Sequence, residues 1–145
     1  MTSTQTATRQ VAPEAPASRR ALVESLQVTL AALGCLGEAS AHVPVMESHL
    51  VEAPYVGVGF VLLVIAGLYL AVRLIVRPDE LVWAGCGLVA TVAVVGYVLS
   101  RSVGLPQLGD DVGAWWDPLG ITAVSCELAT IAAVVGHYAT RRVHI

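Results

Sequence analysis

Long apolar blocks separated by short polar breaks dominate this chain, and the blocks are far longer than the half-turn rhythm of a soluble core. Residues 55–76 are nearly all aliphatic until Arg73, residues 80–100 carry no charge beyond the opening Glu80, and residues 118–140 hold one acid, Glu127. A weaker block, residues 21–41, carries Glu24, Gln27 and Glu38 among Leu, Val and Ala. Each is close to the roughly 20 residues that a helix needs to cross a bilayer core of about 30 Å. Helix is the geometry to expect, because lipid offers no partner to an unpaired backbone amide.

The pattern predicts an all-α fold, a transmembrane four-helix bundle over residues 21–142, with spans at about 21–41, 55–76, 80–100 and 118–140. Residues 1–20, rich in Thr, Ser, Ala and Pro and without an apolar period, are expected to be a disordered tail. Residues 143–145 form a second, short tail. The turn "RLIVRPDE" makes spans two and three antiparallel neighbours, with Pro78 stopping one helix and Asp79 or Glu80 opening the next. Small residues at helical spacing, Cys86, Ala90 and Ala93 in span three and Cys126, Ala129, Ala133 and Gly136 in span four, mark faces for close packing.

Composition sharpens this picture. The chain is 56% hydrophobic and 13% charged, against roughly a quarter charged in soluble domains, and its mean hydropathy is +0.73. All eight basic residues are arginine, which together with the Ala, Val and Gly content suggests a high-GC bacterial source. A net charge of -3 and the lack of a basic patch argue against a nucleic-acid partner. Arg9, Arg19, Arg20, Arg73, Arg77, Arg141 and Arg142 all fall on one side of a four-span chain, and Arg101 falls on the other. The positive-inside rule then predicts an N-in/C-in multi-pass protein of the inner membrane with both termini cytoplasmic. The outer loops, about 42–54 and 101–117, hold Glu47, Glu52, Asp110, Asp111 and Asp117, and Trp115 and Trp116 suit an interfacial belt.

A second reading of the N-terminus competes with a first span. "SRRALVESLQVTLAALGCLGEASA" has paired arginines, an apolar stretch and an Ala39-Ser40-Ala41 cleavage pattern, as a signal sequence would. Cleavage there would make His42 the new N-terminus.

Candidate chemistry gathers near the outer face. On a helical wheel Glu24, Gln27, Cys35, Glu38 and His42 share a stripe with Val28 and Ala31. A mid-span acid facing lipid costs roughly 2.5–3.5 kcal/mol, so the stripe is expected to face the bundle interior. Glu38 and His42 stand one turn apart, and the loop then adds Glu47 and His49. With Glu127 these form a candidate metal set, and Cys35, Met46 and Cys126 are candidate soft ligands. Imidazole with carboxylate suits zinc, and imidazole with sulfur suits copper, although the spacing matches no tight metal motif. Arg101 is expected to reach down to Glu127 in a structural ion pair. His137 and His144 read as interfacial. No nucleophile-base set, phosphate loop or Gly-rich fingerprint occurs, so an enzyme is not expected.

The stretch "HVPVMESHLVEAPYVGVGF" follows a His-x4-Glu-x-His pattern, and "SRSVGLP" precedes "WWDPLGITAVSCELATI" with its buried Glu. Over roughly residues 35–130 this resembles small four-span membrane proteins of high-GC bacteria that have no assigned function. The resemblance implies the same topology and draws attention to His42, Glu47, His49, Arg101, Gly104, Leu105, Pro106 and Glu127. Three functions remain open at this stage: a polar, metal-binding outer-face site; an accessory or assembly subunit packed on a larger membrane complex or on further copies of itself; and a small transporter or proton path using Glu24, Glu38 and Glu127.

Overall fold

The computed structural model describes residues 15–142, with side chains from Arg19 onward. Four long helices make up the fold: α1 (Ala15–Glu52), α2 (Pro54–Val76), α3 (Glu80–Ser102) and α4 (Pro118–Arg142), and a single 3-10 turn (Gly109–Asp111) lies in the α3–α4 loop. All four are long and apolar enough to cross a membrane. The protein is an all-α four-helix bundle in which α1 packs mainly on α2 and α4, while α3 packs on α4 and α2. Its outward surface is aliphatic: Leu62, Ile65, Ile75, Leu81, Leu88 and Val135 are all exposed. Exposed Leu, Ile and Val in such density are what a lipid-facing surface requires.

The last three helices lie within two residues of the ranges read from the sequence. The first does not. Helix α1 begins inside the expected tail, at Ala15, and continues through the expected loop 42–54 to Glu52, so that Ala53 alone joins it to α2. Residues 1–14 and 143–145 of the two expected tails, and His144, lie outside the described residues. "SAHVPVMESHL" is therefore helix, and Ala39-Ser40-Ala41 lies within an unbroken one.

The reason is local hydrogen bonding. His42 and His49 each turn Nδ1 back onto a carbonyl one turn earlier, Glu38 O at 2.8 Å and Val45 O at 2.7 Å. Ser40 and Ser48 donate to Leu36 O at 2.8 Å and Val45 O at 3.0 Å. These side chains look like loop formers in sequence, but here they are satisfied by their own helix. Pro44 removes one backbone donor from the interior of α1, and α1 nevertheless remains helical to Glu52 because its far end packs on α2.

Glycines set that packing. Gly57 lies against Leu50, and Gly67 lies against the Cys35 carbonyl and Ala39, where a Cβ would come to 2.9 Å of the carbonyl oxygen. Residues 35–50 of α1 thus run beside α2, and Cys35 and Glu38 stand near the middle of the bundle, well below its outer end. Below them the core is closed by Ala31, Leu74, Val82, Trp83 and Val134. Polar clasps tie the ends: Asp79 caps α3 by accepting from the Val82 amide at 3.0 Å and takes Arg73 at 2.7 Å, and Glu80 takes Arg141.

Candidate functional site

The α1–α4 seam is built for close approach. Gly34 presents bare backbone to the Thr130 hydroxyl and the Cys126 carbonyl, and Gly37 does the same to the Cys126 sulfur. The two backbones come together there as small residues allow. One residue further along each helix are Glu38 and Glu127, each 1% exposed. Because Gly34 and Gly37 bring α1 against Cys126 of α4, the two carboxyls belong to the same α1–α4 seam. Glu38 Oε1 and Glu127 Oε2 are enclosed without any hydrogen-bond partner. Among the described residues neither carboxyl joins an ion pair. Two buried acids on one seam, each with an oxygen lacking a hydrogen-bond partner and neither in an ion pair among the described residues, are costly polar groups for the fold.

Around the pair lie soft and neutral groups. Thr130 is fully buried and donates to the Cys126 carbonyl at 3.0 Å. Cys35 and Cys86 bring their sulfurs to 4.0 Å across the bundle. Thr130, Gly34, Gly37 and Cys86 carry this layer, yet the sequence reading assigned none of them to a site. The Gly34/Gly37 spacing beside Cys35 and Glu38 was the available signal.

The expected metal set does not converge. Glu38 and Glu127 are both buried on the α1–α4 seam, but Glu47 is exposed. His42 and His49 both pack against the Phe60 ring, with centroids 4.7 and 4.9 Å away. A carbonyl can only accept, so the contacts to Glu38 O and Val45 O hold a proton on both Nδ1 atoms and direct each ring through its own helix. Met46 is half-buried in that same stretch of α1. No group of three or more His, Cys, Asp or Glu side chains among the described residues is placed to hold a metal ion. The outer loop that was to supply flexible ligands is a helix, and a helix fixes these side chains at their own heights.

Arg101 also departs from expectation. Its guanidinium pairs with Asp111 at 2.7 Å and lies 5.2 Å over the Tyr97 ring, not on Glu127. Register explains this. Gly120 meets the Tyr97 ring and Gly87 meets Val134, so the end of α3 is level with the start of α4. Glu127 lies nine residues along α4 from Pro118, about 13 Å deeper by helical rise. The loop then closes around Arg101. Its carbonyl accepts from the Gly113 amide at 2.9 Å, Tyr97 donates to Trp115 O at 2.8 Å, and Tyr55 donates to Pro106 O at 2.7 Å. Gly104 and Gly113 take positive φ, 80° and 81°, where a side chain would be strained.

At the opposite end His137 stacks on Trp83, centroids 4.2 Å apart and rings 11° from parallel. Its Nε2 stands 3.8 Å from Glu80 Oε1. Gln27, beside Gly136, keeps its amide oxygen enclosed without a partner. The inward stripe of α1 thus meets polar groups at two levels, Gln27 near His137 and Glu38 beside Glu127.

No family model, curated protein or solved structure matches this chain.

Proposed function

We propose that this is a multi-pass protein of a bacterial inner membrane, with both termini cytoplasmic, whose working centre is the Glu38–Glu127 carboxyl pair. The pair binds and releases protons and so forms the intramembrane station of a proton path. One observation carries the reading: two carboxyls, each 1% exposed, share a seam with no basic group, and each keeps an oxygen without a partner. Two unpaired negative charges on one seam inside an apolar bundle are not a stable state. A proton on either carboxyl removes one charge and supplies the hydrogen bond that the other lacks. Intramembrane ionisable groups of this kind are characteristic of proton relays.

The topology is supported by the arginines. The helix order brings Arg19, Arg20, Arg73, Arg77, Arg141 and Arg142 to one end of the bundle and Arg101 to the other. At the arginine-rich end, Glu24, Gln27 and His137 offer polar groups from which a proton would start toward the pair.

The test is proton uptake by vesicles that contain the purified protein and a pH-sensitive dye, driven by a potassium-diffusion potential. Wild-type protein is expected to conduct at least tenfold above protein-free vesicles, and Glu38→Gln and Glu127→Gln are each expected to return flux to that baseline. Wild-type flux equal to that of empty vesicles, or variants that conduct as wild type does, would contradict the proposal.

A further inference from the structure

Helices α1 and α3 stand across the bundle from one another, each packed chiefly on α2 and α4. Cys35 on α1 and Cys86 on α3 meet between them, with sulfurs 4.0 Å apart. The residues are 2% and 1% exposed, and both thiols are free. Cys126, the third free thiol, is only half-buried and lies on the α1–α4 seam against Gly37. Two thiols at van der Waals contact across a bundle axis form a vicinal pair by packing, although 51 residues separate them in sequence.

We propose that Cys35 and Cys86 are a redox pair that closes to an intramolecular disulfide when hydrogen peroxide enters the membrane. Burial selects the oxidant: it must be small, uncharged and able to cross apolar surroundings, which peroxide is and charged oxidants are not. In the first step one sulfur, having given up its proton, attacks a peroxide oxygen. The O–O bond breaks, a sulfenic acid forms, and the departing hydroxide takes up the released proton as water. In the second step the other thiol sulfur attacks the sulfenic sulfur. The S–S bond forms, the S–O bond breaks, and hydroxide leaves with the thiol proton as a second water. Two thiols and one peroxide thus give one disulfide and two waters, with two electrons passing from sulfur to oxygen.

The bond shortens the sulfur separation to about 2.0 Å, and it does so between helices that are not direct neighbours. Oxidation therefore draws α1 and α3 together at the level of Glu38, which gives the bundle a reduced form and a clamped form. This inference does not depend on the carboxyl pair carrying protons.

The experiment is intact-mass analysis and peptide mapping of the full chain in lipid nanodiscs after peroxide treatment. Wild type and Cys126→Ser are expected to lose about 2 Da and to yield a Cys35–Cys86 linked peptide. Cys35→Ser and Cys86→Ser are expected to form no disulfide, and the remaining member of the pair is expected to gain one oxygen, about 16 Da, as its sulfenic acid. Ferricyanide, which is charged, is expected to leave all three thiols of wild type free. Three free thiols in wild type after peroxide, or a bond that involves Cys126, would overturn the proposal. Helical content by circular dichroism verifies that each variant is folded before oxidation, and Cys126→Ser alone is sufficient to decide should the other two fail to fold.

Discussion

Two regions of this bundle place acids near a helix end or seam, and they treat them in opposite ways. In the α3–α4 loop Asp111 faces Arg101 at 2.7 Å, in a clasp held by backbone and tyrosine hydrogen bonds. In the α1–α4 seam Glu38 and Glu127 are each 1% exposed, join no ion pair among the described residues, and keep an oxygen without a partner. An arginine was available to the fold, and register sends it to the loop. The loop acids are thus explained by the structure that they stabilise, whereas the seam acids weaken the structure that holds them. A group that burdens its fold is where function should be sought.

The largest effect expected from this comparison is a gain of stability. Replacing both seam acids, Glu38→Leu with Glu127→Leu, is expected to stabilise the bundle by about 1–3 kcal/mol for each unpartnered carboxyl oxygen removed, the usual cost of a buried polar group without a partner. Unfolding by SDS titration in mixed micelles measures this, and a loss of similar size would mean that the pair is a structural lock. Next comes the seam itself. Gly34→Ala puts a methyl group into the Thr130 hydroxyl and the Cys126 carbonyl and is expected to destabilise by about 1–3 kcal/mol, as overpacking does. An unchanged midpoint in the same titration would show that the seam is looser than described. Arg101→Ala breaks the loop clasp and should have a smaller effect. Its side chain is 11% exposed and Asp111 is 30% exposed, so a loss of about 1–2 kcal/mol is expected, between exposed and buried pairs. Hydrogen exchange confined to residues 103–117 would locate that loss, and exchange spreading into the α1–α4 seam would break the comparison. Smallest is Arg20→Ala at the exposed Arg20–Glu24 pair, expected within about 0.5 kcal/mol and detectable, if at all, only at low salt.

Much of the fold was legible because lipid makes the apolar block the dominant signal. The boundaries of α2, α3 and α4 follow from it directly, and so does most of the inward stripe of α1, where Ala31, Cys35, Glu38 and His42 are buried; Glu24, expected on that stripe, is instead exposed and pairs with Arg20 one turn before it. The length of α1 was not legible. Pro44, Ser48 and the histidines carry the composition of a loop, and only their bonds back to their own helix, with the packing of Leu50 on Gly57, keep that stretch helical. This one error displaced the site. With α1 ending at Ala41, Glu38 belonged at the outer surface beside flexible ligands; with α1 reaching Glu52, Glu38 lies mid-bundle beside Glu127. The partner of Arg101 was hidden for a different reason, since it depends on a loop shaped by positive-φ residues at Gly104, Gln107 and Gly113. The contact of Cys35 with Cys86 depends on the register of two helices that are not sequence neighbours, which no local pattern encodes.

Infrared difference spectroscopy of the protein in lipid, comparing wild type with Glu38→Gln and Glu127→Gln across a pH series, tests the central claim most directly. The account predicts a carbonyl stretch of an un-ionised carboxyl in apolar surroundings, shifted by deuterium exchange, titrating with pH, and altered by either substitution because the two groups share one hydrogen bond. If both carboxyls are ionised throughout the series, or if the band of one is indifferent to loss of the other, the two acids do not form a proton-sharing pair and the account fails.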